Sequence, residues 1–259
     1  MTNLQALDQI CIDPEMLLSI KRNHLVPLLD DQMRLNHFAD QIVQAQAVLL
    51  QGMNPQLNQQ FSQLIAEIVA QLNASEKVLK HRRFNRLQRW MGSDLEHASS
   101  QLFYMQQLQQ LIEQATQLAE KIRLEVQKSR AKYQQVSGFR EHMAHYIRAA
   151  NEFLQEYPQI AKTRTPMAHF SERLQKKVHT LQTLQASNDL ALAQMLLNQQ
   201  LSLDLLDRFD EAKQVLIPAW QFHLQQRNQQ FSTHHQQDLD QSREKLIHSL
   251  QHSLSQDQG

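Results

Sequence analysis

Glycine and proline are scarce in this chain of 259 residues, at 4 and 6, so it has few places to turn tightly or to break a helix. A single cysteine, Cys11, excludes an intramolecular disulfide. Its neighbours Asp8, Asp13 and Glu15 disfavour a reactive thiolate, and Ile10 beside it points to a buried, inert thiol. Aromatic residues make up 6%, which suits seams between helices better than a thick globular core. Charge of one sign is not in excess: 26 Lys and Arg face 26 Asp and Glu, so there is no global field to steer nucleic acid or membranes. No stretch approaches 18 consecutive apolar residues, which excludes a spanning helix. The start, MTNLQALDQICID, lacks a basic region and a long apolar run, so the expected location is cytoplasmic, without a signal peptide. There is no Gly-rich phosphate loop, no GxSxG and no HExxH, and short Val/Ile/Thr/Tyr strands at regular spacing are absent.

What is present is helical periodicity. Residues 3 to 11 suit a short helix, and Asp13-Pro14-Glu15 supplies a capping acid, a first-turn proline and a first-turn acid for the next. That helix is expected to reach about Gln51, bent or broken at Pro27 and ended by Gly52-Met53-Asn54-Pro55. A second, amphipathic helix starts at Pro55 through Leu57, Phe61, Leu64, Ile65, Ile68, Val69 and Leu72, with a pause at Asn73-Ala74-Ser75 and Ser75 as a possible cap. From Met105 to Tyr157 a spacing of three and four holds without a slip: Leu108, Ile112, Ala115, Ala119, Ile122, Val126, Ser129, Tyr133, Val136, Arg140, Met143, Ile147, Ala150 and Leu154 lie between. That is a coiled-coil seam. Gly138 is its weak point, at about 1 kcal/mol against Ala. Pro158 is expected to end it, with Gln159 to Thr165 as a hairpin turn.

The return helix, about 166–232, has Pro166 in its first turn and its own seam through Leu174, Val178, Leu181, Leu192, Met195, Leu206, Phe209, Leu216 and Trp220. Asn188, Gln199 and Ser202 fall inside that seam and suit polar layers that fix register. Pro218 predicts a kink. The fold class is therefore all-α, a long antiparallel coiled-coil hairpin with a smaller N-terminal helical bundle. Three segments are expected: an N-terminal helical region 1–92, the hairpin 93–232, and a polar, partly frayed helical tail 233–259.

Candidate chemistry is thin. Segment 77–90 gathers Lys77, Lys80, His81, Arg82, Arg83, Arg86 and Arg89 around Phe84, Leu87, Trp90 and Met91. Lys80, Arg82, Arg83, Arg86, Arg89 and Trp90 could hold phosphates of nucleic acid or anionic lipid, or a protein partner. The competing reading is a solvated face paired with neighbouring acids. His142 and His145 with Glu141, and His248 with His252, have spacings a metal could use, but neither pair brings the further ligands a zinc site needs. Asp204, Asp207, Asp210 and Glu211 suit a solvent face opposite Leu205, Leu206 and Phe209 better than a carboxylate centre. Trp220 is either a partner-binding anchor or a packing residue beside the kink, the second being favoured. No cofactor is expected.

Arg173-Leu174, His179, Leu181, Gln194, Asn198-Gln199-Gln200, Leu205-Leu206 and Ile217-Pro218-x-Trp220 carry a likeness. A helix with an early Arg-Leu and His-x-Leu, a Gln/Asn-rich middle and a late Ile-Pro-x-Trp resembles the TelA/KlaA-type toxic anion (tellurite) resistance proteins. Departures are Gln199-Gln200 for a paired asparagine, Gln221-Phe222-His223 for Lys-Asn-Gln, and no Ser-Arg pair after His-x-Leu. The family-like positions are Arg173, His179, Gln194, Ile217, Pro218 and Trp220. The resemblance implies a process, resistance to tellurite and similar stress, and carries no catalytic residues. The expectation is a non-enzymatic cytoplasmic scaffold or adaptor with a protein partner and possible self-association through its helices. The alternative is an electrostatic binder of nucleic acid or anionic membrane through 77–90.

Overall fold

A computed structural model describes residues 4–50, 55–78, 93–160, 169–229 and 233–256. Every regular element among them is helical. The helices are α1 (Pro14–Ile20), α2 (Gln32–Asn36), α3 (Asp40–Leu49), α4 (Pro55–Val78), α5 (Ser93–Ile160), α6 (Phe170–Glu211), α7 (Ile217–Gln229) and α8 (Thr233–Gln256). The protein is all-α, with two long antiparallel helices and shorter N-terminal ones. Contacts group the chain into two compact units: Met1–Met53 with Lys128–Leu197, and Asn54–Gln127 with Asn198–Gly259. These units lie crosswise to the sequence divisions 1–92, 93–232 and 233–259, because α5 and α6 contribute to both.

In the first unit, Phe153 meets Phe170 edge-on with ring centroids 6.3 Å apart, and Tyr157 stacks on Phe170 at 5.2 Å. Arg140 pairs with Asp189, so α5 and α6 run antiparallel there. Met143, Ile147, Ala150 and Phe153 of α5 join Leu174, Val178 and Leu181 of α6, under a cover of Leu25, Leu28, Leu35, Phe38 and Ile42. In the second unit, Arg123 of α5 reaches Asp210 of α6. Phe61 of α4 meets Phe209 edge-on at 5.2 Å, and the Tyr104 hydroxyl donates to the Gln71 carbonyl at 2.8 Å. Of the sixteen positions in the three-four pattern from Met105 to Tyr157, twelve are buried and Met105, Tyr133, Leu154 and Tyr157 are half-buried. The periodic stripe is the packed stripe.

The N-terminal third departs from expectation. Of the short helix expected over residues 3 to 11, the described residues 4–11 hold only a 3₁₀ turn, Leu7–Gln9, and the helix begun at Pro14 stops at Ile20. A π turn spans Lys21–Leu25, a 3₁₀ turn Val26–Leu29, and then the chain restarts twice. Asp31 caps α2 by accepting the Met33 and Arg34 amides at 2.9 and 3.2 Å. Ala39, at φ 63°, sits in the left-handed region before α3. Capping acids and a left-handed residue outweighed the apolar period. Conversely, α4 does not pause at Asn73: Ser75 is buried inside it and returns its hydroxyl to the Leu72 carbonyl, as a mid-helix serine can.

Prolines behaved differently from a simple stop. Pro158 lies inside α5, whose described part runs two residues further, to Ile160. Pro218 and Pro27 each follow a π turn by two residues: Ala212–Leu216 and Lys21–Leu25. At the close of each turn an amide bonds five residues back, Ile217 to Ala212 and Val26 to Lys21. A proline has no amide to give and crowds the carbonyl four residues before it, and the wider turn makes room. The described part of the return helix opens at Phe170, after His169 at φ 62°. The first-turn reading of Pro166 and most of the turn at 159–165 lie outside the described residues, as does nearly all of the basic segment 77–90.

The tail is more regular than its composition suggests. Helix α8 runs 24 residues and packs on α4 and α7, with Leu239, Leu246 and Leu250 at 5%, 0% and 1% exposure. Leucines spaced seven and then four residues apart were enough to seat it. Among the described residues, no helix is long and apolar enough to cross a membrane.

Two outcomes test this packing. Leu246→Ala should destabilise the second unit by about 2–5 kcal/mol in a urea titration, an effect a frayed tail would not produce. A Cβ at Gly138 would meet nothing within 4 Å. Gly138→Ala should therefore raise stability by about 0.5–1 kcal/mol in the same assay.

Candidate functional site

The first unit holds a chain of buried polar side chains where a helical seam would ordinarily be apolar. Gln46 of α3 is 0% exposed, Gln185 of α6 1% and Arg140 of α5 5%. Asn188 Nδ2 donates to Gln46 Oε1 at 2.8 Å, and Gln46 Nε2 donates to Gln185 Oε1 at 3.0 Å. Gln185 Nε2 donates to Asp189 Oδ1 at 2.7 Å. Arg140 closes the chain, with Nε on Asp189 Oδ1 at 2.8 Å and Nη2 on Oδ2 at 3.0 Å. Its Nη2 also donates to the Gln5 carbonyl. Donors and acceptors alternate, so one side-chain arrangement satisfies the row. The second unit has a smaller counterpart: Asn58 Nδ2 donates to the Ser202 hydroxyl at 2.8 Å, which donates to the Asn198 carbonyl at 2.8 Å.

Three polar ties fasten the N-terminal segment over this part of α5. The Arg140 bond to Gln5 is the first. Second, His145, 7% exposed, accepts the Asp13 amide on Nε2 at 3.0 Å and donates Nδ1–H to the Glu141 carbonyl at 2.7 Å. Third, Lys21 Nζ bonds Glu152 and Glu156, both at 2.8 Å. Burial works against the Lys21 charge, yet the two glutamates hold its pKa above the ordinary lysine value. The bond from Lys21, helped by Arg148 at 3.0 Å, holds the Glu152 carboxyl below the ordinary range against its partial burial. On α3, burial pushes the Asp40 carboxyl up, but bonds from Lys177 and His37 prevail and hold it low.

Between these ties lies a cleft of about 630 Å³, within the range of small-molecule sites. Leu7, Asp8, Ile12 and Leu17 form one wall, Ala144, Ile147, Arg148, Asn151 and Glu152 a second, and Gln182, Gln185, Ala186 and Asp189 the third. The network therefore supplies part of the lining, with Gln185 and Asp189 fixed from behind. Such a site can hold an amphipathic molecule or side chain. Its described lining holds no Ser, Thr, Cys, His or Lys side chain.

The residues singled out from sequence fall elsewhere. Lys80, Arg82, Arg83, Arg86, Arg89 and Trp90 lie outside the described residues. Of the family-like positions, Ile217 and Trp220 are buried, Trp220 at 1%; Arg173 is half-buried, and His179, Gln194 and Pro218 are exposed. Trp220 is thus a packing residue and no surface anchor. Asn188, Gln199 and Ser202 do sit in the seam, half-buried, buried and buried. Asp204, Asp207 and Glu211 are exposed, while Asp210 is half-buried against Arg123. His145 has both ring nitrogens engaged inside the protein, and His248 and His252 are exposed. Cys11 is exposed, where Ile10 beside it had suggested burial. Ile10 has extended backbone, so successive side chains alternate: Ile10 and Ile12 turn inward and Cys11 outward. Gln46, Gln185 and Asp189 were missed. The available signal was Gln185 continuing the period Val178, Leu181, Gln185, Asn188, Leu192 with a polar residue.

Fold and site define an all-α protein built on long antiparallel helices with a polar layer in the seam. No family model matches the chain, and no solved structure matches it. Among curated proteins the chain is similar to Protein KlaA of Escherichia coli, 27% identical over 162 residues. The match covers 61% of this chain and 63% of that protein, under two thirds of its length. It is a moderate likeness and supports the TelA/KlaA resemblance loosely.

Two outcomes follow from the site. Arg140→Ala strands Asp189 and should cost about 3–5 kcal/mol, the usual cost of breaking a buried pair. Replacing the pair together, Arg140→Met with Asp189→Leu, should recover most of that loss in denaturant titration. Glu152 and Asp40 are held low, so the unfolded chain binds protons first. The stability they contribute is present above the ordinary carboxylate range and is lost as pH falls through their depressed values. Unfolding free energy should decline below about pH 4, and Glu152→Gln with Asp40→Asn should flatten that limb.

Proposed function

We propose that this protein is a non-enzymatic helical scaffold or adaptor of the TelA/KlaA type. It acts through protein–protein contacts in a cytoplasmic stress response, with toxic anions such as tellurite as the stress. The observation that carries the reading is the likeness to Protein KlaA, together with the Arg173–Trp220 positions read from the sequence. One further feature supports it. The long helices expose large apolar side chains, Leu190 at 63% and Leu197 at 56%, one heptad apart on α6.

The test is a cross-linked pull-down from the native cells at two salt concentrations, beside tellurite survival of a deletion strain. The expected result is a protein partner that survives high salt and is lost with Leu190→Gln and Leu197→Gln, and a deletion strain sensitive to tellurite. Recovery of only nucleic acid or lipid, released by salt and abolished by neutralising Arg82, Arg86 and Arg89, would overturn the reading in favour of an electrostatic binder.

A further inference from the structure

We propose that the cleft of the first unit binds a small organic cation, an ammonium or guanidinium group on an apolar body, with Asp8 as its counter-charge. The inference stands apart from the scaffold reading and rests on which lining groups are already engaged. Both oxygens of Asp189 are taken, by Arg140 and Gln185. Both oxygens of Glu152 are taken, by Arg148 and Lys21. Arg148, the only basic side chain among the described lining residues, is committed to Glu152. Gln185 is held at its amide nitrogen by Asp189 and at its oxygen by Gln46.

Three polar lining groups remain with no hydrogen bond or ion pair among the described residues: the Asp8 carboxylate and the amides of Asn151 and Gln182. The one charge still open is therefore negative. Around it lie Leu7, Ile12, Leu17, Ala144, Ile147 and Ala186, an apolar surface that rewards a hydrocarbon body. An oxyanion is the wrong occupant. It would meet three carboxylates, Asp8, Glu152 and Asp189, and its one available cation is already neutralised. The amides accept and donate, so they suit a hydrogen-bonding group beside the cation and do not by themselves select charge.

Three probes with one apolar body separate charge from hydrophobicity: 4-phenylbutylamine, 4-phenylbutyrate and 4-phenylbutanol. Titrated into the full chain with alanine methyls labelled for NMR, the amine should bind tightest and shift Ala144 and Ala186, with the alcohol weaker and the acid weakest. Asp8→Asn should weaken the amine about fivefold, the scale of one partly exposed ion pair, and leave the alcohol unchanged. Ala186→Trp fills the cleft and should abolish all three. Preference for the acid, equal binding of all three, shifts confined to other alanines, or no saturation by the amine at millimolar concentration would each overturn the proposal. Tellurite survival and partner capture are read separately, so failure here leaves the scaffold reading intact.

Discussion

The pairing of Arg140 with Asp189 across the two long helices is the contact on which the rest of the first unit depends. Leucine and alanine layers pack tolerably in several registers, because a slip of one heptad still matches apolar to apolar. A buried guanidinium does not tolerate the slip, since away from its carboxylate it loses its solvation with nothing in return. The pair therefore contributes uniqueness more than net stability. Gln185 ties the carboxylate to Gln46, which places α3, and the second guanidinium nitrogen ties the Gln5 carbonyl, which places the N-terminal segment. One register-setting charge thus positions three separate pieces of chain.

That arrangement explains how much could be read in advance. The long helices were legible because each apolar position of α5 carries the same instruction, and tertiary packing asked for nothing that local periodicity had not supplied. Arg140 and Ser129 were visible as exceptions to the pattern, and so were Asn188, Gln199 and Ser202. What each polar exception would meet was not legible, since Gln46 is 139 residues from Gln185 and nothing local links them. The cleft was hidden for the same reason: its walls come from three stretches of sequence. The N-terminal third failed where short-range chemistry, such as the Asp31 cap and the left-handed Ala39, overrode a period that was itself sound.

The likeness to Protein KlaA and the cleft bear on different questions. The first concerns ancestry and process; the second concerns what the molecule can hold. The name of the resembled family evokes anions, whereas the charged side chains of the described lining are three carboxylates and one arginine already paired with Glu152.

The two π turns have a consequence for the chain as a length of sequence. Each fits one residue more than an α-helical turn would, and a residue added to a helix rotates everything beyond it by about 100°. Ala212–Leu216 thus sets the phase of Ile217 and Trp220, turning both inward, while Lys21–Leu25 sets that of the turn carrying Leu28 and Leu29. A single-residue deletion within Ala212–Leu216 would restore an even helix and swing Trp220 toward water, so the spacing of these stretches is as constrained as their composition.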